Sequence, residues 1–352
     1  MNFPFDKHLD IRIFSRIYDN TSATYKFYWF LSVLDLLASS NRRKYSFWEI
    51  IAGMVAEAWY PIHFFKLSFG RSDSLYDRVI QLQQELQIPI SASKAEIRQR
   101  ILNERNNKRV IQLLNVFTLN VPYRFLSPWI PFQNTQQVIT DSIRFHNNCL
   151  YSISGDTIVI NPLWEVYLIE NYAVLRDYTY WGLTNFVQRR NPNVPNLPAK
   201  MQETRQRESM AKQRRFWNTV IEHSGSLNCI YTGKLLGVSD YDLDHFVPWS
   251  FVTHNLIWNL LPADPRANLS KSNALPQLEK YLHEFSYLQQ NALQTVYRAN
   301  PSNQLLEDYL MLYHSVPELI SLPDTEFEVV LRNTFSPMVQ IAENMGFQYW
   351  QY

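Results

Sequence analysis

CIYTGKLLGVSDYDLDHFVPWSFVTHNLIWNLLPADPRANLSKSNALP, residues 229–276, holds the most informative chemistry of the 352-residue chain. Asp242, Asp244 and His245 fall within four positions. Asn259 follows His245 by 14 positions, Asn268 follows Asn259 by 9, and Lys271 lies three further on. Asp-Pro-Arg-Ala-Asn, residues 264–268, suits entry into a short helix with Asp264 as N-cap.

Those residue types suit phosphodiester hydrolysis. A neutral imidazole takes a proton from water near pH 7. A hard divalent cation neutralises charge on the phosphate and the leaving oxygen, and it prefers carboxylate, amide and water oxygens. Asp244 and Asn268 offer one carboxylate and one amide oxygen. Adjacent strand residues point to opposite faces, so Asp244 and His245 do not project identically. They can flank a phosphate if a following helix returns Asn268 to them. The expected unit is two strands, a long loop and a helix around one metal.

The words SDYDLDHFVPWSF and NLSKSN, with the 14 and 9 spacings, resemble the HNH, or ββα-metal, endonucleases. The likeness is greatest to the HNH nuclease domain of RNA-guided type II CRISPR effectors, and CIYTGK resembles its lead-in. This resemblance implies that His245 is the general base and that Asp244 and Asn268 hold one Mg²⁺ or Mn²⁺. It implies 5′-phosphate and 3′-hydroxyl products. Asn259 would brace the loop that aims the histidine, and Lys271 would be a cation near the phosphate. Asp242 either supports the metal from behind or is a solvated strand residue. Many HNH proteins pin the fold with Cys-x-x-Cys zinc pairs; here Cys229 stands alone, so packing replaces zinc and no zinc is expected. His254 is the rival histidine in the loop.

Outward from this segment, composition narrows the fold class. Eight glycines in 352 residues, against a usual share of about 7%, leave little room for phosphate loops. No GxGxxG, GxxxxGK[ST] or GxSxG string occurs, which argues against a Rossmann enzyme, a P-loop NTPase and an α/β-hydrolase. Hydrophobic residues at 46% and charged residues at 18% argue for a packed chain. Two cysteines, Cys149 and Cys229, are too few for a disulfide framework. The N-terminus lacks a cationic region followed by an apolar run, so no signal peptide is expected. The apolar stretch at 50–65 carries Glu57 and His63 and is too short to span a bilayer. A cytoplasmic protein without membrane association is the expectation.

Apolar spacing predicts helices over 22–39, 46–65, 72–86 and 93–114, with capping boxes opening at Ser46 and Ser93. Pro61 is expected to kink or end the second. The β-branched runs QVIT and LYSISGDTIVI place a small β element near 137–160, with Ser154-Gly155-Asp156 as a hairpin turn. Helical spacing returns over 162–188. Three prolines in NPNVPNLPA mark 191–199 as a linker.

The expected fold is therefore mainly α with a small α+β module: a mostly helical targeting, sensing or docking domain over 1–190, an HNH ββα-metal nuclease over 200–290 and closing helices over 291–352. Two basic stretches stand out. Residues 94–109 carry six cations against two acids, and residues 200–223 carry six against three. Lys200, Arg205, Arg207, Lys212, Arg214 and Arg215 of the second are candidate nucleic-acid contacts. The expected function is metal-dependent cleavage of nucleic acid, of DNA in preference to RNA. Family habit adds a bacterial anti-phage effector role, with a protein partner docking through the N-terminal domain. The alternatives are a subunit inactive until a partner gates it and a catalytically silent nucleic-acid binder.

Overall fold

The computed structural model describes residues 3–202 and 208–351. Its contacts divide it into two units. One comprises the described residues up to Pro192 with Lys200, Met201 and Gln202; the other comprises Asn193–Ala199 and the described residues that follow 207.

The first unit is mostly helical. Its helices are α1 (Tyr25–Ala38), α2 (Phe47–His63), α3 (Leu75–Leu86), α4 (Lys94–Asn103), α5 (Lys108–Leu114), α6 (Val116–Phe125), α7 (Thr135–Ile143), α8 (Pro162–Glu170) and α9 (Tyr172–Gln188). The Ser46 capping box forms as its sequence directs: Ser46 accepts from the Glu49 amide, and Glu49 bonds back to the Ser46 amide. Ser93 likewise accepts from the Glu96 amide. Apolar residues surround α1 and α2 on nearly all faces, so both lie in the core.

Several expectations are corrected. The helix expected over 93–114 is two, because Asn107 caps a fresh start with its side chain on the Arg109 and Val110 amides. The span 162–188 is also two helices, which meet at Asn171. Pro61 neither breaks α2 nor ends it, since the helix runs on to His63. QVIT lies in α7 rather than in a strand, where Asn134 caps the Gln137 amide and Val138 reaches the core. The hairpin is β2 (Tyr151–Ser154) with β3 (Thr157–Ile160), and Gly155 turns it at φ +59°. A third strand, β1 (Lys44–Ser46), pairs antiparallel with β3 through a long-range contact.

Buried Glu57 on α2 pairs with Lys94 of α4 at 2.6 Å and accepts from the Tyr180 hydroxyl of α9. Nearby, His63 packs against the Trp59 ring with centroids 4.3 Å apart, and its Nε2 has no hydrogen-bond partner among the described residues. Burial pushes that imidazole down to about 4, partly offset by a backbone bond at Val79. A folded value below the unfolded one means that stability is complete above about 6.5 and declines as pH falls toward 4. Replacing His63 with Phe keeps a ring and removes the proton. Thermal unfolding at pH 7.5 and pH 5 should therefore show the variant gaining on wild type at the lower pH; parallel losses would refute the assignment.

The second unit carries α10 (Leu197–Lys200, its last residue counted with the first unit), α11 (Ala211–Ser224), β4 (Leu227–Asn228), β5 (Leu235–Leu236), β6 (Asp242–His245), α12 (Trp249–Val252), β7 (Leu260–Ala263), α13 (Pro265–Lys271), α14 (Leu278–Ala299), α15 (Val316–Ser321) and α16 (Asp324–Asn344). Strands β4 and β5 form one antiparallel pair, β6 and β7 another. Opposite Asp242, Asp244 and His245 stand Ala263, Leu261 and Leu260. Aromatic packing fixes the end of β6. Phe246, next to His245, stacks on Phe285 of α14 with centroids 4.0 Å apart and meets Phe335 of α16 edge-on. The helices beyond the strands are thus part of the core that holds the site. No described helix is long and apolar enough to cross a membrane.

Candidate active site

Strand β6 delivers Asp244 and His245, and β7 leads through Asp264 into α13. The Asp264 carboxylate accepts from the Arg266 amide at 3.0 Å, with Pro265 in the first turn. Cys229, buried and reduced, accepts the Asp264 amide on its sulfur at 3.3 Å. Helix α13 then returns Asn268 and Lys271 toward β6.

The result is a hollow of about 190 Å³ lined by Asp244, His245, Asn268, Asn255 and Trp249, with Glu208 among its other walls. Side-chain alternation along β6 does not separate Asp244 from His245, because both border this one hollow where the strand ends. The imidazole Nε2 lies 3.0 Å from Asn255 Oδ1.

Asn259 is wholly buried outside the hollow. Its Oδ1 accepts from the Val247 amide at 2.9 Å, and its Nδ2 donates to the Val247 carbonyl at 2.9 Å. The Phe246 amide adds a bond of 2.8 Å to the Asn259 carbonyl. Asn259 thus acts as a substitute strand partner for the residues that follow His245. Leaving either Val247 group buried without a bond costs about 1–3 kcal/mol.

Asp244 is 4% exposed and its ion-pair partner Lys271 is 0% exposed by side chain. Lys271 Nζ lies 2.9 Å from Asp244 Oδ2, 3.1 Å from Oδ1 and 2.6 Å from the His245 carbonyl. The Tyr231 hydroxyl donates to Asp244 Oδ2 at 2.7 Å. Burial pushes the Asp244 carboxyl above its usual range, and Lys271 and Tyr231 hold back part of that rise. Tyr231 is itself fixed between Tyr281 and Trp350, edge-on to both.

The donor chemistry fits a hard divalent cation. Asn268 Nδ2 points to Asp242 Oδ2 at 3.4 Å, which leaves the amide oxygen as the donor that a cation would use. The Asp244 carboxylate borders the same hollow. Among the described residues, no group of three His, Cys, Asp or Glu is gathered for a metal. A cation here would therefore rely on carboxylate, amide and water, and not on a soft zinc-type cage.

The basic candidates fare differently. Lys200 is buried, 0% exposed, with its ammonium 5.7 Å from the Phe65 ring centre, and burial pushes it down to about 7. Its expected role as a surface nucleic-acid contact is corrected on that ground. Arg205 and Arg207 lie outside the described residues. Lys212 and Arg215 are exposed on α11. Arg214 is also exposed, but it donates to the Tyr241 carbonyl at 3.2 Å and its guanidinium covers the Tyr241 ring. His254 borders a separate cavity of about 460 Å³ with Asp308, and the Leu256 amide donates to its Nδ1 at 3.3 Å. In the first basic stretch, Lys94, Arg100 and Arg105 are engaged by Glu57, Glu96 and Asp156.

Sequence reasoning missed Tyr231 and Asn255. Tyr231 stands in the lead-in CIYTGK, and nothing in that string points it at Asp244. Asn255 lies ten positions beyond His245 in a loop with no periodicity.

Residues 229–277 match the family model described as HNH endonuclease. The HNH domain accounts for the two strands, the loop and α13 on which Asp244, His245, Asn259, Asn268 and Lys271 stand. HNH nucleases are metal-dependent, and the domain supports a nuclease function with a nucleic-acid substrate. The match stops short of α14 and of the whole first unit. Neither a curated protein nor a solved structure gives a significant match to the chain.

Proposed function

We propose that the protein is an endonuclease that cuts DNA at the hollow between β6 and α13. The observation that carries this reading is the convergence of Asp244, His245 and Asn268 on one small hollow with Asn255 against the imidazole. The His245 imidazole, its Nε2 3.0 Å from Asn255 Oδ1, would take the proton from the attacking water. Asp244 and the Asn268 amide oxygen would hold Mg²⁺ or Mn²⁺. The bound ion supplies Lewis-acid stabilisation of charge on the phosphate and leaving oxygen. The products would be a 5′-phosphate and a 3′-hydroxyl. Lys212 and Arg215, exposed on α11, suit sequence-independent phosphate contacts.

Plasmid and single-stranded DNA incubated with the full chain and Mn²⁺ or Mg²⁺ test the reading. The expected result is nicked or linear DNA with ends that DNA ligase can reseal, and no cleavage in EDTA. DNA left intact by a protein that binds Mn²⁺ would overturn autonomous DNA cleavage and favour a gated subunit. Metal-independent cleavage would remove Asp244 and Asn268 from the proposed mechanism.

A further inference from the structure

Lys271 ends α13, and a lysine in the last turn ordinarily extends into water toward the helix dipole. Here the ammonium is wholly enclosed, with both Asp244 oxygens and the His245 carbonyl around it at 2.6–3.1 Å. A buried ammonium persists only when its lost hydration is replaced in this way. The pairing fixes the charge of the hollow. Among the described residues, its one buried carboxylate is already matched by a buried cation of opposite sign. Glu208 is exposed and Asp242 part-exposed, so water screens both.

A divalent cation on Asp244 would therefore sit on a carboxylate shared with an ammonium, beside a neutral amide. The missing negative charge is what a substrate phosphate carries. We propose that metal and nucleic acid bind this hollow cooperatively, and that Lys271 enforces the coupling by neutralising Asp244 until a phosphate arrives. The inference rests on the nuclease reading and names the regulation of that same site. Coupling is reciprocal: the factor by which phosphate tightens the metal equals the factor by which the metal tightens nucleic acid.

The test uses the full-length chain carrying His245→Ala, so that bound DNA stays intact. Mn²⁺ uptake by the free protein is read from the loss of the free-ion paramagnetic signal. Affinity for a short labelled DNA duplex is read by fluorescence anisotropy with and without Mn²⁺. Mn²⁺ is expected to tighten duplex binding at least about tenfold, within the usual range for coupled sites, while the free protein takes up Mn²⁺ weakly. Equal duplex affinity with and without Mn²⁺, alongside tight Mn²⁺ uptake by the free protein, overturns the coupling and leaves the nuclease reading standing. No Mn²⁺ uptake with or without duplex overturns both.

Lys271→Met removes the charge at similar length. It should strengthen Mn²⁺ uptake by the free protein, enlarge the rise in melting temperature with Mn²⁺, and shrink the coupling. A folded Lys271→Met protein with unchanged coupling would remove Lys271 from the device. If the variant does not fold, the comparison on the His245→Ala chain still decides whether the coupling exists.

Discussion

His245→Ala is expected to lower the cleavage rate by about 10²–10⁴-fold, the range that a positioned general base contributes. Melting temperature and Mn²⁺ binding should stay close to wild type. His245 closes β6, but the strand end is anchored by Phe246 in the aromatic core and by the Asn259 bonds to Val247. None of those contacts uses the imidazole, so the loss falls on chemistry and leaves the fold in place. Asn255→Ala should give a smaller loss of kcat with a changed pH profile, because the ring remains while the partner of its Nε2 is gone. Asn255→Asp should restore part of the rate, since a carboxylate oxygen can still accept from Nε2–H. His254→Ala serves as the counter-test. It borders the neighbouring cavity, so cleavage that survives His245→Ala and vanishes in His254→Ala would transfer the base to that residue.

The two histidines in that contest were legible in the sequence because their chemistry is local, whereas Asn255 was not. Asp244 and His245 are neighbours, and the spacing to Asn259 and Asn268 is that of one strand pair and one helix. Strong local signals also set the caps at Ser46 and Ser93 and the turn at Gly155. Other features depend on contacts distant in sequence. The β-branched residues of QVIT favour strand by propensity, yet the Asn134 cap and core contacts of Val138 draw them into a helix. Strand β1 exists only through its pairing with β3, more than a hundred residues away. Lys200 reads as a surface cation and Lys271 as a cation near a phosphate, because nothing near them in sequence shows what encloses them. For Lys200 the enclosing surface includes Phe65. For Lys271 it is Asp244 and the His245 carbonyl, brought together only when α13 folds back on β6.

That enclosure yields the other large effect, on stability. Asp244→Ala strips the buried Lys271 ammonium of its counter-charge and the Tyr231 hydroxyl of its acceptor. Breaking one side of a buried ion pair typically costs about 3–5 kcal/mol, well above the cost of an ordinary surface substitution. Denaturant unfolding followed by Trp fluorescence should show the loss. Asp244→Asn should lose less, because its amide oxygen can still accept from Tyr231. Combining Asp244→Asn with Lys271→Met should recover most of the stability, since two neutral side chains of similar volume leave no uncompensated charge. Cleavage should be absent from all three proteins, because none retains the Asp244 carboxylate. Stability and activity thus separate in the double variant, and that separation distinguishes a functional carboxylate from a merely structural ion pair. An Asp244→Ala protein as stable as wild type would mean that Lys271 is not confined as the geometry has it. A double variant that still cuts would remove Asp244 from the reaction.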